Sequence, residues 1–202
     1  MTTDMKQDIQ GKNILLAGVG GQGTLVASEI TARAAVYAGF DVKKSEIHGA
    51  SQRGGPVVSH VRFSREVQSP LTPAGEVDVL IGLEQLEALR WAHYVRGNGF
   101  IVLNTEMIPP AQFGEEFIAY AQDIEGFLIS KGFEVAAIDA GSIARELGNS
   151  KVINVALLGA ASLRLGFADE IWHSIFTDHF PAKIRDINIR AFAMGKDAAK
   201  GH

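Results

Sequence analysis

The chain has 202 residues, 47% of them hydrophobic and 21% charged, a globular composition that excludes a disordered or collagen-like polymer. Its 19 Lys and Arg stand against 23 Asp and Glu, a net charge of −4. That balance excludes the basic excess of a general nucleic-acid or anionic-membrane binder, though not a local phosphate site. No cysteine is present, so there is no disulfide framework, thiolate-held Fe–S cluster, CxxC motif or cysteine nucleophile.

At this length roughly 70% of the unfolded chain's surface can be buried, so no metal or disulfide staple is needed. Residues 1–12 are polar and carry no apolar signal core. The longest apolar stretch, residues 152–165, is interrupted by Asn154, Ser162 and Arg164 and is too short to span a bilayer. The expectation is a soluble, cytoplasmic protein of one domain, residues 1–202.

In chain order, Ile14-Leu15-Leu16-Ala17 reads as a buried strand, closed by the glycine-rich turn of residues 18–23. Apolar residues at helical spacing over 24–38 predict a helix stopped at Gly39. Strands are expected at 41–47, 57–63 and 77–81, then a helix at 84–94 and a fifth strand at 100–104. A helix over 113–130 and a sixth strand over 134–139 follow. Beyond them the chain reads as helical over 142–147, 151–165, 170–177 and 182–199. This pattern predicts an α/β fold: a Rossmann-like open, mostly parallel sheet with helices on both faces and a helical C-terminal tail. The helix at 151–165 has almost no polar face, so it belongs at the centre of that tail or in a subunit interface.

Gly18, Gly20 and Gly23, with Gly21 and Gln22 between them, fit G-x-G-x-x-G directly after a strand and at the start of a helix. Backbone N–H groups and a helix N-terminus in that setting suit an anion such as phosphate. The alternative is that these glycines only permit close strand–helix packing. For a dinucleotide's ribose, Asp41 has the right sequence distance but stands at the start of its strand, and Glu46 comes late.

Ser51-Gln52-Arg53-Gly54-Gly55 lies just past the second strand, at the carboxyl edge where such sheets bind ligands. An arginine beside a flexible Gly-Gly suits a loop that closes over phosphate or carboxylate; a solvated hairpin-like connection fits equally well. His48 and His60 lack the partners of a catalytic or metal set, which favours structural histidines. Glu84, Glu87 and Arg90 have the spacing of helix-surface ion pairs. His173, Asp178 and His179 lack helical ligand spacing, and no Walker lysine follows the glycine turn.

Residues 18–23 and 45–55, with Ser59-His-Val-Arg-Phe63, Ser69-Pro-Leu71, Ala74-Gly-Glu-Val-Asp-Val-Leu80 and Leu86-Glu-Ala-Leu-Arg90, and more loosely Asn154 and Leu158-Gly-Ala160, resemble the gamma subunits of 2-oxoacid:ferredoxin oxidoreductases. Within that pyruvate/ketoisovalerate oxidoreductase family, the small subunits of indolepyruvate-type enzymes are the most similar. The resemblance implies oxidative decarboxylation of a 2-oxoacid to an acyl-coenzyme A with reduction of ferredoxin. It implies that thiamine diphosphate, magnesium and Fe–S clusters reside on catalytic partner subunits, which agrees with the missing cysteines and the missing Gly-Asp-Gly…Asn-Asn run. The site residues it implies are Gly18, Gly20, Gly21, Gln22 and Gly23 with Ser51, Gln52, Arg53, Gly54 and Gly55, closing over coenzyme A, with no catalytic or metal-binding residue on this chain. A homo-oligomer is compatible with this, and two other readings stay open: a nicotinamide-dependent oxidoreductase and a non-catalytic scaffold.

Overall fold

The computed structural model describes residues 10–48, 55–108 and 121–201. The run at 14–17 is fully buried because β1 (Lys12–Val19) lies in the middle of a six-stranded sheet. With β2 (Asp41–His48), β3 (Pro56–Ser64), β4 (Val77–Gly82), β5 (Val95–Asn104) and β6 (Glu134–Ile138), the order is β2-β3-β1-β4-β5-β6. β1, β4, β5 and β6 are parallel neighbours. β3 is antiparallel to both β1 and β2, so it alone opposes the common direction. Its reversal follows from the chain: residues 49–55 are too few for the crossover that a parallel pair requires.

Side-chain alternation along the strands divides the core in two. Ile14, Leu16, Val61, Ile81 and Val102 pack beneath α1 (Thr24–Tyr37), α4 (Ala140–Glu146), α5 (Ile153–Leu165), α6 (Asp169–His179) and α7 (Ala182–Ala198). Leu15, Ala17, Leu80, Ile101 and Leu103 face α2 (Gln85–Trp91) and α3 (Ile124–Ser130). The helices thus cover both faces, as expected. The apolar helix α5 is the centre of the tail: it touches α1, α4 and α7 together with β4, β5 and β6.

Three boundaries differ from the sequence reading by three residues or more. The helix expected over 113–130 begins only at Ile124; residues 113–120 lie outside the described ones. Asp123 sets this start, with φ 50° and a carboxylate that accepts from the Gly126 N–H at 3.0 Å. The helix after β4 ends at Trp91 and tightens into a 3-10 turn, Ala92–Tyr94. β5 starts earlier than the apolar run because Asn98 takes φ 60° and the pairing with β4 shifts between Val77 and Val79. Among the described residues, no helix is long and apolar enough to cross a membrane.

Candidate functional site

From β1 the chain proceeds to β2 and β3 on one side, and from β4 to β5 and β6 on the other. The carboxyl ends of β1 and β4 therefore flank the point where the strand order reverses, the usual ligand crevice of an open α/β sheet. The glycine turn, the first residue of α1 and the residues following β4 and β5 converge there.

Within the turn, Gly21 and Gly23 have φ of 104° and 84°, which disfavours any residue with a Cβ. Gly23 is also pressed by the tail: the Asn154 amide donates to its carbonyl at 3.0 Å, and a Cβ would stand 2.5 Å from Asn154 Nδ2. Gly18 is needed for another reason. A Cβ there would lie 2.8 Å from Gln22 Oε1 and 2.9 Å from Leu83 Cβ.

Gln22 folds back over the end of β1. Its Oε1 accepts from the Val19 N–H at 2.8 Å, while Nε2 donates to Leu83 O at 3.0 Å and Glu106 Oε2 at 3.3 Å. Asn104, fully buried at the end of β5, donates to the same Leu83 carbonyl at 2.9 Å and to Glu106 at 3.4 Å. Glu84 is 1% exposed and accepts from the N–H groups of Glu87 and Ile108 at 3.0 and 3.2 Å. One amide side chain thus joins the ends of β1, β4 and β5, with two carboxylates beside it. The Thr24 hydroxyl and Asn104 Oδ1 are buried without a hydrogen-bond partner among the described residues.

The two glycine motifs meet at the backbone. The Gly20 N–H donates to Gly55 O at 2.9 Å, and β1 pairs with β3 as far as Val19 opposite Pro56. The start of β3 is therefore held against the glycine turn.

Comparison with known proteins decides the family. The model of the pyruvate ferredoxin/flavodoxin oxidoreductase family matches residues 13–198. The chain belongs to that family. It is 38% identical to the indolepyruvate oxidoreductase subunit IorB of Thermococcus kodakarensis, over 93% of this chain and 96% of that one. It is 28% identical to the pyruvate/ketoisovalerate oxidoreductases common subunit gamma of Pyrococcus furiosus, over 86% and 89%. A keto/oxoacid ferredoxin oxidoreductase gamma subunit from Geobacter sulfurreducens shares the fold, with a TM-score of 0.71, 23% identity and coverage of 95% and 99%. The fold recurs in 2-oxoglutarate:ferredoxin oxidoreductase from Magnetococcus marinus, with a TM-score of 0.74 and 22% identity. There it matches 96% of this chain but only 32% of a longer polypeptide.

Of the site residues expected for this oxidoreductase family member, Gly18, Gly20, Gly21, Gln22, Gly23 and Gly55 gather at the switch point. Ser51, Gln52, Arg53 and Gly54 lie outside the described residues. Asp41 stands at the opposite edge of the sheet, where its carboxylate accepts from the Val67 N–H at 2.8 Å; that bond, more than Lys43, holds its pKa below the ordinary value. Glu46 pairs with Lys44 at 3.0 Å.

Glu84 and Glu87 are not the surface residues their spacing suggested. α2 packs on β1, β4 and β5 and carries both inward, leaving Glu87 6% exposed with its pKa raised by burial, against the opposing pull of Arg90 at 3.3 Å. His60 is a core histidine: Nδ1 accepts from the Thr72 N–H at 3.3 Å, the ring meets Trp91 and Tyr94 edge-on, and burial lowers its pKa. Among the described residues, no group of three or more His, Asp or Glu is placed to hold a metal ion.

Asn104 and Glu106 escaped the sequence reading. Their position just beyond an apolar strand on the carboxyl edge was the available signal. Asn154 stood out only through the loose resemblance of the C-terminal helices; its contact with Gly23, 131 residues away, left no local signal.

Proposed function

We propose that this chain is the small subunit of a 2-oxoacid:ferredoxin oxidoreductase acting on an aryl or branched 2-oxoacid such as indolepyruvate, and that its carboxyl edge helps close the coenzyme A site on a catalytic partner. In the overall reaction the 2-oxoacid loses carbon dioxide, its acyl group forms a thioester with coenzyme A, two ferredoxins each take one electron, and one proton is released. Thiamine diphosphate, magnesium and Fe–S clusters belong to partner subunits in this reading, because the chain has no cysteine and no Gly-Asp-Gly…Asn-Asn run. The chain alone is then inactive towards the oxoacid.

The observation that carries the coenzyme A role is the Gly20 N–H to Gly55 O bond, which anchors one end of the Ser51-Gln52-Arg53-Gly54-Gly55 connection beside a helix N-terminus. The fit to coenzyme A is uneven. The Gly20 and Gln22 amides already donate to Gly55 and Val19, and the carboxylates of Glu84 and Glu106 stand nearby. A phosphate would therefore be met by Arg53, with Ser51 and Gln52 as further donors. Gly18, Gly20, Gly21, Gln22 and Gly23 would set the frame that holds them.

The test is Arg53→Ala in the reconstituted complex. Losing one charge-assisted hydrogen bond of about 1.5–3 kcal/mol should raise the Michaelis constant for coenzyme A roughly 10- to 150-fold while assembly persists. Arg53→Lys keeps the charge but not the forked geometry and should fall between. Unchanged kinetics would favour the scaffold reading. The nicotinamide reading gains nothing from Asp41, which lies at the wrong edge of the sheet.

A further inference from the structure

The outermost strand, β2, and the neighbouring helix α1 form a surface whose chemistry is repeated about its own middle. Six residues of α1 point away from the core: Leu25, Val26, Glu29, Arg33, Val36 and Tyr37. Leu25 and Val26 are partly exposed, and Val36 and Tyr37 are 60% and 59% exposed. Thr31, between them, is fully buried. At 100° per residue all six lie within about 60° of the line opposite Thr31. They also form pairs equidistant from Thr31 along the chain: Leu25 with Tyr37, Val26 with Val36, and Glu29 with Arg33. An antiparallel copy of α1 centred on the same residue would meet apolar with apolar at both ends and Glu with Arg in the middle.

β2 supports the same symmetry. Among the described residues it is an edge strand, so one row of its backbone N–H and C=O groups has no neighbour in the sheet they form. A two-fold axis normal to the sheet keeps each face on its own side, so antiparallel pairing of β2 with itself must be centred on a residue. Centring on Lys43, Lys44 or Glu46 sets like charges against each other. Centring on Ser45 sets Lys44 opposite Glu46 of the second copy, twice. Lysines usually discourage edge pairing. Here Lys44 is already held between Glu29 and Glu46 at 3.0 Å each, and Arg33 is bound to Glu29 at 3.2 Å, so these four charges cancel, with Asp178 of α6 as a further acid lining the groove. Glu29 bonded to Lys44 also brings the middle of α1 beside the middle of β2, so one axis can serve both elements. Val36, Tyr37, Val42 and Lys44 border a groove of about 560 Å³ at this edge.

We propose that this face binds a second copy of the same chain, with β2 and α1 each pairing antiparallel with their equivalents to give a continuous sheet across the two-fold axis. The inference is independent of the coenzyme A role.

The chain has no native cysteine, so Ser45→Cys introduces a unique thiol at the axis. Directly opposed strand residues have Cβ atoms about 4.5–5.5 Å apart, within reach of a disulfide once the strands adjust. Ser45→Cys in the full chain should give an oxidant-dependent homodimer, and Lys43→Cys, which opposes Ile47 rather than itself, much less. Sedimentation equilibrium of the unmodified chain should show a dimer, and Val36→Asp should weaken it roughly tenfold or more by placing a charge in the apolar contact. Far-ultraviolet circular dichroism would verify that Val36→Asp, at an exposed position, remains folded. A monomer at several hundred micromolar overturns the proposal. So does a dimer indifferent to Val36→Asp, or cross-linking of Ser45→Cys to a larger subunit instead of to itself in the reconstituted complex.

Discussion

Gly159 on α5 and Gly195 on α7 each lie against the other helix's backbone. A Cβ at Gly159 would stand 2.0 Å from the Phe192 carbonyl oxygen, and one at Gly195 would stand 1.8 Å from that of Ala156. Neither neighbour is a side chain that can rotate away, so the two helices cross as closely as their main chains allow. This contact secures the tail, and through Asn154 on α5 the tail holds Gly23 of the glycine turn.

Gly159→Ala and Gly195→Ala should therefore each destabilise the protein by about 3 kcal/mol or more, at or beyond the upper end of ordinary overpacking. Urea unfolding checks this, with a lowered midpoint at unchanged slope as the expected result. Gly75→Ala provides the contrast: its φ of 78° is strained for alanine, but no heavy atom lies within 4 Å of the new Cβ. Its loss should be the smaller one.

Leu157 is fully buried in the same helix. Leu157→Asp places an unpaired charge in the core and should cost about 3 kcal/mol or more, a large share of the roughly 5–15 kcal/mol that holds a domain folded. A strongly lowered urea midpoint, or aggregation where the loss exceeds the parent's stability, is the expected readout. Leu157→Met, which conserves volume, should cost less than about 1.5 kcal/mol.

Gln22 offers a sharper test of the switch-point geometry. Gln22→Glu keeps the shape and the acceptor for Val19 N–H but removes the donors to Leu83 O and Glu106, and sets one carboxylate against another. Loss of those bonds should cost about 1–3 kcal/mol at neutral pH. Part of the loss should return on acidification, as one carboxyl of the pair takes a proton and again donates. A variant as stable as the parent at pH 7 would mean that the clamp contributes little.

The first part of the chain was legible because its signals are local. A four-residue apolar run, a cluster of glycines and a periodic helix identify β1, the turn and α1 without reference to anything distant. The direction of β3 was less legible, since an apolar run does not carry its orientation; only the shortness of residues 49–55 does. The resemblance placed Gln22 among the site residues, but its clamping contacts were not legible. Its partners Leu83 and Glu106 are 61 and 84 residues away, and a glutamine inside a glycine motif reads as a spacer until the strands are placed side by side. Glu84 and Glu87 misled for a related reason. Their spacing describes one helix, whereas their burial depends on where that helix lands.

His60 makes the pH dependence of stability predictable in sign. Burial is the main cause of its lowered pKa, with the nearby positive charge of Arg62 adding to it. In the fold the ring is therefore neutral at pH values where the unfolded chain, with a pKa near 6.5, begins to take up a proton. The unfolded state binds more protons in that window, so stability falls as pH drops below about 6.5 and stops falling once the folded histidine also protonates. His179 is lowered too, chiefly by burial, and acts in the same direction. Glu87 acts oppositely: its pKa is raised above 4.5, so ionising it as pH rises opposes folding. Comparing variants separates these contributions. His60→Phe removes one proton-linked site while keeping an aromatic ring against Trp91 and Tyr94, at the expense of the acceptor for Thr72 N–H. It should be less stable than the parent at pH 7.5, and the gap should narrow steadily towards pH 5.5 in urea titrations. A gap that stays constant across that range would mean that His60 carries no proton linkage.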